Sequence, residues 1–321
     1  MSIAGPYHRG SKLIGRAFLH RITVMRIPAA MAKNDLGKTI IDELTLCYDA
    51  EPILLDDLSS ISIGGWLNFG EFSLYRVVSR NFQYGFDVLY GADVDNRIKL
   101  ATIRFAHYGE QEQSLYVYYR LENRVHYDPE LFDIAIMLPE MLGLSFRHTT
   151  SIDLCRDFKC NVTQRIRKIA KDDAVTVIVN GKAIDKSEDV AGSMLVYSLN
   201  FNRVKNPTIS IKQAKAMKDK SKGLTMCAYD KANEIMKASG KDYIKEFYDN
   251  PKHLHRLEVH MNNQEIKDYC KNIVRVAQDL SLLRNQEFLD GMYEYHLSSL
   301  LRFTKGRKRL DWNDILCGGR V

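Results

Sequence analysis

From about Asn34 the chain alternates apolar and polar residues. TIIDELTLCYD (39–49), EFSLYRVVSR, FQYGFDVLYG, IKLATIRFAHYG and SLYVYYRLE each repeat with period two, and Gly, Asn and Asp stand between them. That is the pattern of antiparallel strands. DPELFDIAIMLPEMLG (128–143) changes to helical spacing, with an Asp-Pro start and a Gly stop, and predicts a helix. TTSIDLCRDFKCN (149–161) predicts a strand, VTQRIRKIAKD a short helix and SMLVYSLNF another strand. GLTMCAYDKANEI predicts a strand running into a loop or helix. LHRLEVHMN (254–262) predicts a strand with Leu257 and Val259 on one face and Arg256, Glu258 and His260 on the other. After about Gln264 the pattern reads as helical to the end, closing with FTKGRKRLDW. The expected fold is α+β: a mainly antiparallel sheet with interspersed helices and a helical C-terminal tail, not a doubly wound sheet. The expected segments are a basic N-terminal arm (1–35), a sheet-bearing domain (36–275) and a helical C-terminal segment (276–321).

Composition narrows the class. With 321 residues, 45% hydrophobic and 27% charged, the chain is neither wholly disordered nor collagen-like. It has no run of 18 apolar residues, so no membrane helix is expected. Arg16, His20, Arg21 and Arg26 interrupt the apolar runs near the N-terminus, which argues against a signal peptide and for a cytoplasmic location. Six cysteines without a CxxC pair read as free thiols in a reducing compartment. The formal charge of +6 is modest but concentrated. It gathers in the arm (8–26), in a run holding Lys212, Lys215, Lys218, Lys220 and Lys222, and in Lys305, Arg307, Lys308 and Arg309. Patches of this kind meet a phosphate backbone, and these lysines and arginines are the candidate DNA-binding residues; solvated loops are the plain alternative.

Three motifs can carry chemistry. In Ile152-Asp153-Leu154-Cys155-Arg156-Asp157, the two aspartates share a strand face about 13 Å apart, too far for one ion. One can bind a metal while the other holds a Lys or Arg. Tyr229-Asp230-Lys231 closes an apolar strand. A tyrosine there can attack a phosphodiester and keep the strand end as a phosphotyrosine. Asp230 is then a candidate ligand for a divalent cation and Lys231 a phosphate partner, provided the strand ends or bulges at that point. Arg256-Leu257-Glu258 puts a guanidinium and a carboxylate on one face, fit for phosphate and metal or for an ion pair.

Taken in order, I-D-L-x-x-D, Y-D-K-x-x-E and R-x-E-V resemble the replication initiation factor family, the rolling-circle initiators of small plasmids and related elements. The early T-I-I-D-E-L-T-L also resembles that family's first strand, and the likeness covers about residues 36–272. Ser151 stands where the family has Arg. The resemblance implies that the sheet-bearing domain nicks and rejoins one DNA strand at a replication origin. Tyr229 would be the nucleophile, Lys231 and Arg256 would hold phosphate, and Asp153, Glu258, Asp42 and Asp230 would bind Mg²⁺ or Mn²⁺. It further implies a homodimer that works with a host helicase and polymerase.

Two other readings compete. His253-x-x-Arg256 with Tyr293 is the sequence pattern of a tyrosine recombinase, although the motif runs into a strand rather than a helical core. A non-catalytic DNA-binding adaptor would keep the sheet and the basic patches, and Tyr229→Phe separates it from an enzyme.

Overall fold

The structure is a computed structural model and describes residues 36–51, 54, 58–93, 96–106, 115–184, 208–213 and 223–317. The basic arm (1–35), Lys215, Lys218, Lys220, Lys222 and the strand expected at SMLVYSLNF lie outside the described residues. The described residues divide into two compact units, those within 46–147 and those within 36–45 and 148–317.

The first unit takes the second half of β1 (Ile40–Ala50) with β2 (Trp66–Phe69), β3 (Phe72–Val77), β4 (Tyr84–Tyr90), β5 (Ile98–Phe105) and β6 (Leu115–Leu121), in the order β1-β6-β5-β4-β3-β2. Alternation is obeyed: Leu74, Phe86, Val88, Ile103 and Phe105 are buried. Helix α1 (Pro129–Met141) begins where Asp128 accepts bonds from the Glu130 and Leu131 N–H groups. Pro139 lies inside this helix and has no N–H for the Ala135 carbonyl. The buried Tyr119 hydroxyl donates to that carbonyl at 2.8 Å, so the proline leaves no orphaned acceptor.

The second unit carries β7 (Ser145–Phe158), α2 (Val162–Ala170), β8 (Val175–Val179), β9 (Lys182–Ala183), β10 (Ile209–Lys212), β11 (Thr225–Asp230), α3 (Lys231–Glu234), α4 (Asp242–Phe247), β12 (His255–Asn262), α5 (Asn263–Asp268), α6 (Gln286–Leu300), β13 (Leu301–Lys305), β14 (Lys308–Arg309) and α7 (Trp312–Cys317). Its larger sheet runs β10-β11-β12-β7-β1, and a small sheet runs β14-β13-β8-β9. On one face of the larger sheet Met226, Ala228, Leu257, Val259, Ile152 and Leu154 are buried. The fully buried Tyr293 of α6 donates to the Leu257 carbonyl at 3.0 Å and sits under the Arg156 guanidinium. The opposite face is polar, and the candidate chemistry lies there.

The α+β class and the antiparallel sheet stand as expected, and helices are present near the C-terminus. The C-terminal stretch is not helical throughout. Leu301 and Phe303 turn inward while Arg302 and Thr304 do not, and Gly306 closes a β13–β14 hairpin. Part of the lysine run also differs from a plain loop: ISIK is β10, paired with β11. Among the described residues no helix is long and apolar enough to cross a membrane.

Candidate active site

Strand register assembles the polar face. Residues paired across an antiparallel sheet point to the same side. One row is Tyr229, Arg256 and Asp157; the next is Cys227, Glu258 and Cys155; the third is Thr225, His260 and Asp153. Lys212 and Ser210 of β10 extend the third and second rows. Asp42 of β1 reaches the same face, because its Oδ1 lies 2.6 Å from Arg256 Nη1.

Each carboxylate has its own surroundings. Asp157 is fully buried and takes a two-pronged contact from Arg256, 2.8 Å from Nε and 2.7 Å from Nη2. The Tyr248 hydroxyl also bonds to Asp157, and burial together with that negative charge pushes the phenol far up. Asp153 contacts His260 Nδ1 closely. Glu258 accepts a 3.0 Å hydrogen bond from the Tyr229 hydroxyl. Tyr229 and Glu258 stand on adjacent strands, displaced by one row, a diagonal that a phenol can span. Burial first, then Asp42 and Asp153, push the Glu258 carboxyl up to about 7, against the pull of Arg256. Burial also raises Tyr229 well above the ordinary phenol value, and Glu258 and Asp42 add to it. Tyr229 is therefore neutral at physiological pH, and its proton already points at a carboxyl tuned to the same range.

No family model, curated protein or solved structure matches the chain. The site stands on its geometry alone.

β11 ends at Asp230, so Tyr229 stands near a strand end and is half-buried, but the ladder stays regular through Asp230 and the two side chains do not share a face. Asp230 itself turns aside. It pairs with His255 on the opposite face, and its carboxylate caps α3 by accepting from Asn233 N at 2.9 Å. Helix capping, rather than metal binding, is the contact it makes. Lys231 stays near Tyr229, with its Nζ 5.7 Å from the ring centroid and 2.9 Å from Glu234 Oε2. Arg256 is fully buried and its guanidinium is engaged by Asp157 and Asp42. The expectation that one of Asp153 and Asp157 would hold an arginine is met by Asp157. Of the remaining candidates, Lys212, Arg307, Lys308 and Arg309 are exposed. His253 is exposed, while Tyr293 lies on the Leu257 face, away from Arg256; this gives the recombinase constellation no common site.

The charge balance suits a divalent cation: Glu258 is held up by burial and by neighbouring carboxylates, and a cation would favour its charged form. The donors Glu258, Asp153 and Asp42 are hard oxygens of the kind Mg²⁺ and Mn²⁺ prefer. Among the described residues, however, no three His, Cys, Asp or Glu side chains are gathered as a ligand set. The thiols beside Glu258 do not compete as nucleophiles. Burial pushes Cys227 up to about 11 and raises Cys155 strongly. The contributions of Tyr248 and the Asp153–His260 contact were missed in the sequence, since both depend on register and on a loop packed against the sheet.

Proposed function

We propose that the protein is a DNA strand-nicking and rejoining enzyme of the rolling-circle initiator kind, with Tyr229 as nucleophile. The observation that carries this reading is the hydroxyl of the half-buried Tyr229 at the end of β11, donating at 3.0 Å to Glu258. In the forward step Tyr229 Oη bonds to the phosphorus of one phosphodiester, and the bond to the 3′ oxygen breaks. The tyrosyl proton passes to Glu258 Oε2, the departing 3′ oxygen takes up a proton from water, and the 3′ hydroxyl so formed is available to a polymerase. Return of the 3′ hydroxyl reverses each bond change and rejoins the strand, because a phenolate leaves readily. Lys231 supplies positive charge beside the attacking ring. Arg256 orders the face by holding Asp157 and Asp42. A bound Mg²⁺ or Mn²⁺, held by Glu258 with Asp153 or Asp42, would polarise the phosphate. DNA, a host helicase and a homodimeric partner belong to this proposal, as does a cytoplasmic location.

The test is to incubate the full chain with Mg²⁺ and a random pool of single-stranded oligonucleotides and trap covalent adducts in denaturing gels. Mass spectrometry should place the adduct on Tyr229, and Tyr229→Phe should abolish it while leaving DNA binding intact. An adduct on Tyr243, Tyr248 or Tyr293 refutes the site and keeps the reaction class. Binding without any adduct favours a non-catalytic adaptor.

A further inference from the structure

The small sheet of the second unit carries charge that the reaction above does not use. Residues 301–310 hold Arg302, Lys305, Arg307, Lys308 and Arg309 and no acid. Residues 305–309 are all exposed. None of these five side chains takes part in an ion pair among the described residues. The turn between the strands has two residues, with Gly306 at φ +60° in its first position, as a tight II′ turn needs. This turn holds Arg307 at the tip and sets Lys305 directly opposite Lys308. Like charges in register weaken a hairpin. A local cost without a local compensation is a mark of a binding surface.

Three observations say what covers it. Charge complementarity calls for a polyanion. The hairpin's aromatic residue, Phe303, is fully buried, so the exposed surface has no stacking platform of the kind that single-strand binders interleave with their cations. Among the described residues the exposed large apolar side chains lie elsewhere, so the hairpin offers none to a lipid surface. What is left is a narrow two-stranded ribbon of cations, a shape that fits a duplex groove and its flanking phosphates. The ribbon is also tied to the catalytic face. Leu301 pairs with Val179, and Asn180 beyond it donates from Nδ2 to the Lys212 carbonyl at 3.0 Å. Lys212 stands across from Thr225, at the other end of the strand that ends in Tyr229 and Asp230. Along this path the tip is at most about 50 Å from Tyr229, roughly one and a half turns of duplex.

We propose that the β13–β14 hairpin, together with Lys212, grips the phosphate backbone of duplex DNA within about one and a half turns of the strand that Tyr229 would cut. The inference rests on the reading of the site given above, and it is testable apart from it. The experiment measures anisotropy of a labelled duplex about two turns long, and of a single strand of the same sequence, between about 50 and 200 mM salt. The triple variant K305S/R307S/K308S is expected to bind duplex at least roughly tenfold more weakly, with a log–log salt slope shallower by about 2–3. Its single-strand affinity and its single-strand adduct yield should match wild type. Its melting temperature should hold or rise, because the Lys305–Lys308 repulsion is gone; R307S alone, with a slope shallower by about 1, serves if the triple variant folds poorly. An unchanged slope, an equal loss on single strands, or binding to anionic vesicles in place of duplex overturns the proposal. If wild type forms no adduct, the nicking reading fails while the salt slopes still decide the hairpin.

Discussion

Arg256→Met is the sharpest test of how the site is built. The side chain is fully buried, and it contacts Asp157 at 2.8 and 2.7 Å and Asp42 at 2.6 Å. Methionine fills much of the volume but removes the charge, leaving two buried carboxylates without their guanidinium. Removing one side of a buried ion pair costs about 3–5 kcal/mol, a large share of the roughly 5–15 kcal/mol that holds a typical domain. The double variant R256M/D157L removes the better-buried carboxylate as well and should recover part of the loss, giving a coupling of about 1–3 kcal/mol in the cycle. Urea unfolding reads both, followed by fluorescence of Trp312, which is buried in the unit that holds Arg256. A loss below about 1 kcal/mol in the single variant would refute the reasoning. It would mean that the guanidinium is not locked by these acids and can serve phosphate directly, as the resemblance alone implies.

Three further outcomes follow from single contacts. His296 is buried, and desolvation holds its imidazole down at about 4 against an ordinary 6.5. The unfolded chain therefore binds the extra proton between these values, so His296 contributes stability that is fully present above 6.5 and falls away toward 4, by about 3 kcal/mol in all. Glu258 acts with the opposite sign: its raised carboxyl contributes below 4.5, and that is lost as pH rises through about 7. The two offset each other in wild type, so urea midpoints of His296→Gln should fall between pH 5 and 7 where those of wild type stay nearly level; a parallel profile refutes the assignment. Asp230→Ala removes the cap of α3 and should cost about 1 kcal/mol, with Asp230→Asn recovering most of it in thermal melts. Tyr293→Phe loses one buried hydrogen bond, about 1 kcal/mol, and should leave adduct formation on Tyr229 unchanged.

The long alternating stretches were legible because a half-buried strand writes period two into the chain. The polar face of β12 was legible for that reason, down to Arg256, Glu258 and His260. The short strands were not: WLNF, ISIK and LRFTK give two alternations or fewer, and neighbouring charges masked them. Partner choice was invisible as well. Arg-x-Glu suits a phosphate site and an ion pair equally, and only full burial of Arg256 between β7 and β1 turns it toward Asp157 and Asp42. For Asp230 a local signal existed, since an Asp just before Lys-Ala-Asn-Glu is a helix cap in sequence terms, yet its neighbour Tyr229 drew it into the chemistry.

On the proposed reading, the charge distribution across the three rows explains why the chemistry centres on Glu258. Asp157 and Asp42 are answered by Arg256, and Asp153 contacts His260. Glu258 sits between these rows and meets a neutral phenol. A fourth carboxylate beside three others is costly to ionise in a buried place, and its pKa near 7 expresses that cost. The same imbalance makes Glu258 the point on the face where an added positive charge is most strongly favoured, whether it is a proton taken from Tyr229 or a cation arriving with phosphate. A scissile phosphate alone would deepen the excess of negative charge. Phosphate should therefore bind this face weakly by itself and better with Mg²⁺ or Mn²⁺, and Glu258→Gln should narrow that difference. A phosphate affinity indifferent to the metal would show that Lys231 suffices to balance the site.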